Sequence, residues 1–169
     1  MNVILTGFMA TGKSSVGKEI ARLLKMKFID TDELVEKKVG MKISEIFANE
    51  GEEYFRNIES EIAKEVGSLD HCVVATGGGI VVRQKNIDNL TKNGKIIYLS
   101  ASVKKILERV CKNSDRPLLN TKNKKSKIEK LLAKREPYYK KNDFSVDTTN
   151  TTPIEAAKKI IEYIHSNKI

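Results

Sequence analysis

Cysteine is scarce in this sequence, and long hydrophobic runs are missing. The two cysteines among 169 residues, Cys72 and Cys111, are far apart and have no spacing typical of metal ligands. This pattern excludes a disulfide framework and favours reduced thiols in a cytoplasmic protein. No apolar stretch approaches the ~20 residues that a membrane-spanning helix needs. The N-terminus also lacks the basic region and the small-residue cleavage site of a signal peptide. We therefore expect no membrane association and a cytoplasmic location.

Aromatic residues are also few, at 6%, although the chain has a net charge of +9. The positive excess lies in residues 112–141, which contain nine lysines and two arginines against three acids. Residues 30–65 have the opposite balance, with eleven acids against five bases. Because the aromatic residues do not alternate with the basic ones, stacking on single-stranded nucleic acid is poorly supported. We expect no nucleic-acid partner.

What the sequence does contain is an alternation of short apolar segments with longer helical patterns. Five segments predict strands: NVILT, KFID, HCVVAT, KIIYLS and DFSVDT. Helical patterns cover residues 43–66 and residues 126–135, which Pro137 is expected to stop, and TPIE at 152–155 has the features of a helix start. This order predicts one α/β domain over residues 1–169, with a parallel sheet covered by helices on both faces.

A phosphate-binding loop follows the first predicted strand. The segment GFMATGKSS, residues 7–15, has the spacing Gly7-x4-Gly12-Lys13-Ser14. Its glycines allow backbone N–H groups to surround an anion, and the next helix adds its positive dipole end. Lys13 is placed to reach the β- and γ-phosphates of a nucleoside triphosphate, and the Ser14 hydroxyl to ligate Mg²⁺. The predicted nucleotide-binding residues of this loop are Gly7, Ala10, Thr11, Gly12, Lys13, Ser14 and Ser15.

Two further motifs are expected on the same edge of the sheet, because ligands bind beyond the carboxyl ends of parallel strands. DTD at 30–32 ends the second strand, and GGG at 77–79 follows the third. Asp30 is a candidate for supporting the metal and Asp32 for accepting a proton from an attacking hydroxyl. The glycines favour close approach of backbone N–H groups to a ligand. Taken alone, the acids are also compatible with helix capping and the glycines with an ordinary turn.

Three arginines are candidates for binding anions, and spacing alone does not choose among them. Arg56, Arg116 and Arg135 can each pair with a carboxylate or a phosphate through two hydrogen bonds. Arg56 lies among acids, so a surface ion pair is the alternative for it. Arg116 lies in a polar, basic stretch at about 112–124, which is long enough for a lid that closes over the triphosphate. A solvated linker is the alternative for that stretch.

Taken together, these motifs resemble the shikimate kinase family over nearly the whole chain. The resemblance depends on the order and spacing of GFMATGKSSVGKEIA, FIDTDELVEKKVGMKISEIFANEGEEYFRNIE, VATGGGIV, DRPLL, KREPYY and VDTTNTTP. It implies a three-layer α/β/α P-loop fold like that of nucleoside monophosphate kinases, with five parallel strands in the order 2-3-1-4-5. It also implies transfer of the ATP γ-phosphoryl group to the 3-hydroxyl of shikimate, with Mg²⁺, in a monomer. The alternatives are another small-molecule or nucleoside monophosphate kinase of the same fold, such as gluconate kinase, and a nucleotide-binding regulatory or nucleic-acid-binding module.

The resemblance also selects individual site residues. Those implied to bind shikimate, in a region at about 31–60 and beyond it, are Asp32, Arg56, Gly78, Gly79 and Arg135. Those implied to act in catalysis are Asp32, Lys13 and Arg116. Nucleotide contacts outside the loop are implied for Arg109, Arg116 and Pro153, and metal contacts for Ser14 and Asp30. The chain departs from some members of the family at Thr151, where they place arginine, and in its lysine-rich stretch after Leu119.

Overall fold

A five-stranded, all-parallel sheet forms the centre of the molecule. The computed structural model describes residues 1–111 and 123–167. The strands are β1 Asn2–Thr6, β2 Lys27–Asp30, β3 Cys72–Ala75, β4 Gly94–Ser100 and β5 Phe144–Asp147. Their order across the sheet is β2-β3-β1-β4-β5, and every pairing is parallel. The predicted strand order is confirmed.

Helices cover both faces of the sheet in the described part of the chain. They are α1 Lys13–Leu24, α2 Thr31–Val39, α3 Ile43–Asn49, α4 Gly51–Gly67, α5 Gln84–Thr91, α6 Val103–Cys111, α7 Lys124–Tyr139 and α8 Pro153–Ser166, with a 3₁₀ turn at Ile80–Val82. None of these helices is long and apolar enough to cross a bilayer. Helix α8 begins as predicted, because Glu155 N donates to the Thr152 hydroxyl and Thr152 N donates to the Glu155 carboxylate.

The sheet separates two hydrophobic cores, which makes the fold three-layered. Successive side chains of a strand point to opposite faces. On β1, Val3 and Leu5 therefore pack with Ile160 of α8 and with α1. Ile4 packs on the other face, in the core that includes Ile62 of α4 and residues of α5, α6 and α7. This arrangement confirms the predicted α/β/α layers.

The predicted helix over residues 43–66 is wrong in one respect, because the segment forms two helices. The first ends where Glu50 N donates to Ile46 O. The second starts at Gly51, whose φ of +84° is left-handed and turns the chain. Ile46 and Ile62 are both buried, so the apolar pattern continues across the break and conceals it.

The predicted stop at Pro137 is also wrong, because α7 continues to Tyr139. Proline removes only one backbone donor at this position, near the end of the helix. The last turn still closes through Lys140 N, which donates to Glu136 O at 3.0 Å. The Tyr139 ring is buried and stacks on Tyr98 of β4, with 5.2 Å between centroids. Burial of this large ring stabilises the extra turn.

Candidate active site

The phosphate loop joins β1 to α1 in backbone conformations that favour glycine. Gly7 has a φ of +144°, and a Cβ there would lie 2.2 Å from Leu99 O. Gly12, the N-cap of α1, has a φ of +97°. Ala10 is also left-handed, with a φ of +61°. A side chain at Gly7 would force the loop away from β4, so this position is restricted both by conformation and by space.

Lys13 folds back over this loop. Its Nζ donates to Gly7 O and to Phe8 O, each at 2.9 Å, and its side chain is mostly buried. Thr11 Oγ1 also donates to Phe8 O, at 2.8 Å. The ammonium group is thereby held against the backbone that is predicted to surround the phosphates. Ser15 is exposed on the first turn of α1.

Ser14 and Asp30 form the pair of oxygen groups that the sequence predicts for a metal. Ser14 Oγ donates to Asp30 Oδ2 at 2.7 Å. Asp30 Oδ1 accepts from Asp32 N at 3.0 Å, so the carboxylate also caps α2. Within residues 1–111 and 123–167, no cluster of three or more His, Cys, Asp or Glu side chains could hold a metal without other ligands. The pair fits Mg²⁺, which is commonly bound by one or two protein oxygens together with phosphates and water.

A cavity of about 480 Å³ lies beside the phosphate loop at the carboxyl ends of β1, β2 and β3. We call it the acceptor cavity. Its walls come from the phosphate loop, α2, α3, α4 and the glycines after β3; they include Met9, Ser14, Asp30, Asp32, Phe47, Arg56, Glu59, Gly77 and Gly78. The structure therefore brings the predicted acids, glycines and one predicted arginine to a single site.

Two carboxylates lie close to each other beside the glycine turn, residues 77–79. Gly77 N donates to Thr31 Oγ1 at 2.9 Å, which attaches the turn to the start of α2. A Cβ on Gly77 would lie 2.6 Å from Asp32 Oδ1 and 2.8 Å from Glu59 Oε1. Any larger residue at this position would displace one of these acids. The glycine is therefore required by the close approach of the two side chains.

Arg56 is anchored by acids on its own helix. Its Nη1 donates to Glu59 Oε2 at 2.8 Å and its Nη2 to Glu52 Oε1 at 3.1 Å, the i,i+3 and i,i+4 spacings that place residues on one helix face. The guanidinium also packs against Gly79, where a Cβ would lie 2.4 Å from both terminal nitrogens. The side chain is only 10% exposed, so it is an internal cation of the cavity wall and not a surface ion pair.

Glu59 is the buried partner of this arginine. Burial raises the pKa of Glu59, Arg56 opposes that rise, and the nearby Asp32 carboxylate adds to it. Glu59 Oε1 is buried without a hydrogen-bond partner among the described protein atoms. The carboxylate is thus held by one arginine on one oxygen, beside a second acid.

Arg135 approaches the glycine turn from α7. It is buried, and its Nη1 lies 3.4 Å from Gly78 O. Tyr139, one helical turn later, donates its hydroxyl to the same carbonyl. Arg56 thus lines the acceptor cavity, whereas Arg135 contacts the turn that forms one of its walls.

The residues predicted near adenine lie on the other side of the phosphate loop. Arg109 donates to Ala10 O at 3.0 Å and to Thr148 O at 2.8 Å. Thr148 Oγ1 in turn donates to Thr11 O at 2.7 Å. Pro153 is the exposed first residue of α8. The predicted Arg116 and most of the predicted lid, residues 112–122, lie outside the described residues.

Three residues of this site were not identified from the sequence: Glu59, Tyr139 and Thr148. Glu59 had a detectable signal, since it lies three residues after Arg56 on a helix. Tyr139 lies four residues after Arg135, but the expected stop at Pro137 removed it from the helix. Thr148 contacts Thr11, which lies 137 positions away along the chain, and no local pattern reveals such a contact.

Comparison with known proteins identifies the family. The sequence model described as shikimate kinase matches residues 9–165. The chain belongs to the shikimate kinase family. A shikimate kinase of Thermodesulfovibrio yellowstonii is 48% identical over 161 residues, which cover 95% of this chain and 93% of the relative. The structure of shikimate kinase from Acinetobacter baumannii in complex with shikimate superposes with a TM-score of 0.96 at 36% identity, covering 99% of this chain and 94% of that one.

A gluconokinase from Sinorhizobium meliloti shares the fold, with a TM-score of 0.62, 17% identity and coverage of 99% and 97% of the two chains. At that identity the likeness concerns the fold alone. The match to the shikimate kinase family thus covers nearly the whole chain, whereas the gluconate alternative has only the architecture in common.

Proposed function

We propose that the chain transfers the γ-phosphoryl group of ATP to the 3-hydroxyl of shikimate, giving 3-phosphoshikimate and ADP. The observation that carries this proposal is the acceptor cavity, which shares Met9 and Ser14 with the phosphate loop and presents Asp32 and Arg56 within one space. Such a cavity suits a small acid with hydroxyl groups, because it offers both a cation and hydroxyl-binding carboxylates. The family membership supports the same substrate.

On the acceptor side, Arg56 and Arg135 bind the carboxylate of shikimate. Glu52, which is half exposed, is the weaker of the two partners of Arg56. The substrate carboxylate can take its place, while the buried Glu59 continues to orient the guanidinium. The backbone of Gly78 and Gly79 contacts the substrate ring from the glycine turn.

Asp32 binds the hydroxyl groups and accepts the proton of the attacking 3-hydroxyl. It lies at the first turn of α2, so its position is fixed by the end of β2. Lys13, held over the phosphate loop, stabilises the charge that develops on the transferred group. Alignment of the hydroxyl with the γ-phosphate and stabilisation of this charge are the main requirements of the reaction.

Ser14 and Asp30 are the residues that would hold Mg²⁺ together with the nucleotide. When bound, the ion neutralises charge on the β- and γ-phosphates.

The proposal also includes the sequence-based assignments of nucleotide contacts. These assign Gly7, Ala10, Thr11, Gly12 and Ser15 to the phosphates, and Arg109 and Pro153 to adenine. Arg116 is proposed as the lid arginine of a 112–124 segment, and we propose a cytoplasmic monomer that acts as one domain.

The proposal is tested by following ADP release with ATP, Mg²⁺ and each of three acceptors: shikimate, gluconate and AMP. We expect turnover with shikimate only, and ³¹P NMR should show a phosphate monoester on the 3-oxygen. Turnover with gluconate or AMP in place of shikimate would overturn the assignment. Omission of Mg²⁺, or its removal with EDTA, should abolish turnover, and activity that persists without divalent cation would contradict the metal assignment.

A further inference from the structure

The carbonyl of Gly78 accepts hydrogen bonds from two side chains of α7. Arg135 Nη1 is 3.4 Å away, and the Tyr139 hydroxyl is the closer donor. The residues are four positions apart, so they lie on one face of the helix. Both side chains are buried, with 6% and 1% exposed. The last turn of α7 is thus directed at a single peptide group of the glycine turn.

The Tyr139 hydroxyl has little freedom to leave this carbonyl. Its ring stacks on Tyr98 of β4 at an interplanar angle of 10°. Burial raises the pKa of the Tyr139 phenol far above its ordinary value, with a smaller opposing effect from Arg135. The group therefore stays a neutral donor at physiological pH. A neutral phenol has one hydrogen to donate, and here it is given to Gly78 O.

Holding this carbonyl fixes the next amide as well. A peptide unit is planar and trans, so the C=O of Gly78 and the N–H of Gly79 point in opposite directions. The same peptide lies between the two halves of the site. A Cβ on Gly78 would be 3.2 Å from Met9 N of the phosphate loop, and one on Gly79 would overlap the Arg56 guanidinium. With glycines on both sides, this peptide has no side chain of its own to restrict its rotation.

We infer that Tyr139 is a positioning residue for the phosphoryl acceptor: its hydroxyl locks the Gly78–Gly79 peptide, so that the Gly79 N–H stays directed away from α7 and the Arg56 guanidinium keeps its place in the cavity wall. The inference rests on the proposed function for its kinetic consequence, but the contact itself is a property of the free protein. Tyr139 acts through the turn and does not itself touch substrate.

The test compares Tyr139→Phe with Tyr98→Phe. Tyr139→Phe keeps the ring stack and removes the donor, whereas Tyr98→Phe removes the same atom from the opposite ring. For Tyr139→Phe we expect the KM for shikimate to rise about fivefold to tenfold, as the loss of one buried hydrogen bond implies, with the KM for ATP unchanged within twofold. For Tyr98→Phe we expect both constants to stay within twofold of the parent.

A second readout needs no substrate. Hydrogen exchange of the amides in residues 77–82 should be several-fold faster in Tyr139→Phe than in the parent or in Tyr98→Phe, at similar melting temperatures. Unchanged exchange in Tyr139→Phe would overturn the inference, as would equal rises in both KM values, which indicate general loosening. If the parent protein fails to phosphorylate shikimate, the proposed function falls, and the exchange comparison still decides whether Tyr139 locks the turn.

Discussion

The phosphate loop and the acceptor cavity meet at Met9 and Ser14 but are built differently. The loop is nine consecutive residues whose chemistry lies mainly in the backbone, held by glycine conformations and by the amine of Lys13. The cavity is assembled from five separate segments, with a buried ion pair in its wall. The phosphate loop can form once its own residues adopt their backbone conformation. The acceptor cavity forms only when several helices pack against one another.

The largest effect is expected on the loop side. Lys13→Ala should lower kcat for shikimate phosphorylation by about 10³-fold, because a preorganised cation next to the transferred group is lost. The measurement is steady-state ADP release. Lys18→Ala, on the exposed face of the same helix, is the matched control and should stay within twofold of the parent. Turnover in Lys13→Ala within tenfold of the parent would remove this lysine from the chemistry.

On the acceptor side, Arg56→Ala should reduce stability as well as substrate binding. The change leaves the Glu59 carboxylate buried without its partner, which costs about 3 kcal/mol or more in the free energy of unfolding. Urea denaturation measures this loss, and the double variant Arg56→Ala/Glu59→Gln should regain part of it.

The control for that prediction is an exposed pair with similar geometry. Arg22 and Glu19 are also three residues apart, at 2.9 Å, with Arg22 mostly exposed. Arg22→Ala should cost less than about 1 kcal/mol. Equal losses in Arg56→Ala and Arg22→Ala would contradict the view that burial makes the acceptor-side pair different.

Asp32→Asn tests which part of the reaction the acceptor side controls. It should lower kcat by about 10²-fold if Asp32 accepts the proton, with the KM for ATP unchanged. Steady-state kinetics in both substrates measure this, and Asp88→Asn, on the exposed side of α5, serves as the matched carboxylate-to-amide control. A kcat equal to that of the parent would reduce Asp32 to a residue that only positions the hydroxyl.

The smallest effect on stability is expected for Glu36, a partly exposed residue of the acceptor side. Glu36 accepts from Ile43 N and from Lys42 Nζ, each at 3.0 Å, and so connects α2 with α3. Burial acts to raise the pKa of Glu36, but these two hydrogen bonds outweigh it and hold the pKa below its ordinary value. A depressed carboxyl pKa stabilises the fold above the unfolded pKa of 4.5, and the stabilisation disappears as the pH falls through the folded pKa.

Glu36→Gln should therefore be less stable than the parent at pH 7, by under about 1 kcal/mol, and the two should converge in stability below about pH 4. Thermal unfolding across this pH range measures the difference. A gap that stays constant down to pH 3 would mean that the charge of Glu36 is not what stabilises the contact.

The phosphate loop and the acceptor cavity also differ in how many of their residues can be predicted from the sequence. Gly7, Gly12, Lys13 and Ser14 were assigned to a phosphate site from spacing alone, because the loop is contiguous and follows a strand. The arginines of the acceptor side were selected only by resemblance to a family. Spacing does not show that Arg56 and Arg135, on different helices, converge on one turn.

The errors in the fold have the same origin. Pro137 has a local tendency to end a helix, but the burial of Tyr139 against Tyr98 outweighs that tendency and the helix continues. The break at Gly51 left no trace in the apolar pattern, because Ile46 and Ile62 reach the same core from two helices. Tertiary packing decided both cases, and it also explains why Tyr139 was not identified from local patterns.

The placement of Glu52 and Glu59 on the same helix as Arg56 has a practical consequence. Because all three lie within α4, both ion pairs of the guanidinium form inside residues 51–67. Protein engineers could therefore exchange this helix between related enzymes as one unit that brings the Arg56 cation together with its two carboxylate partners. The part that would need refitting is the docking of this helix against Arg83, which donates to the Arg56 carbonyl at 3.0 Å.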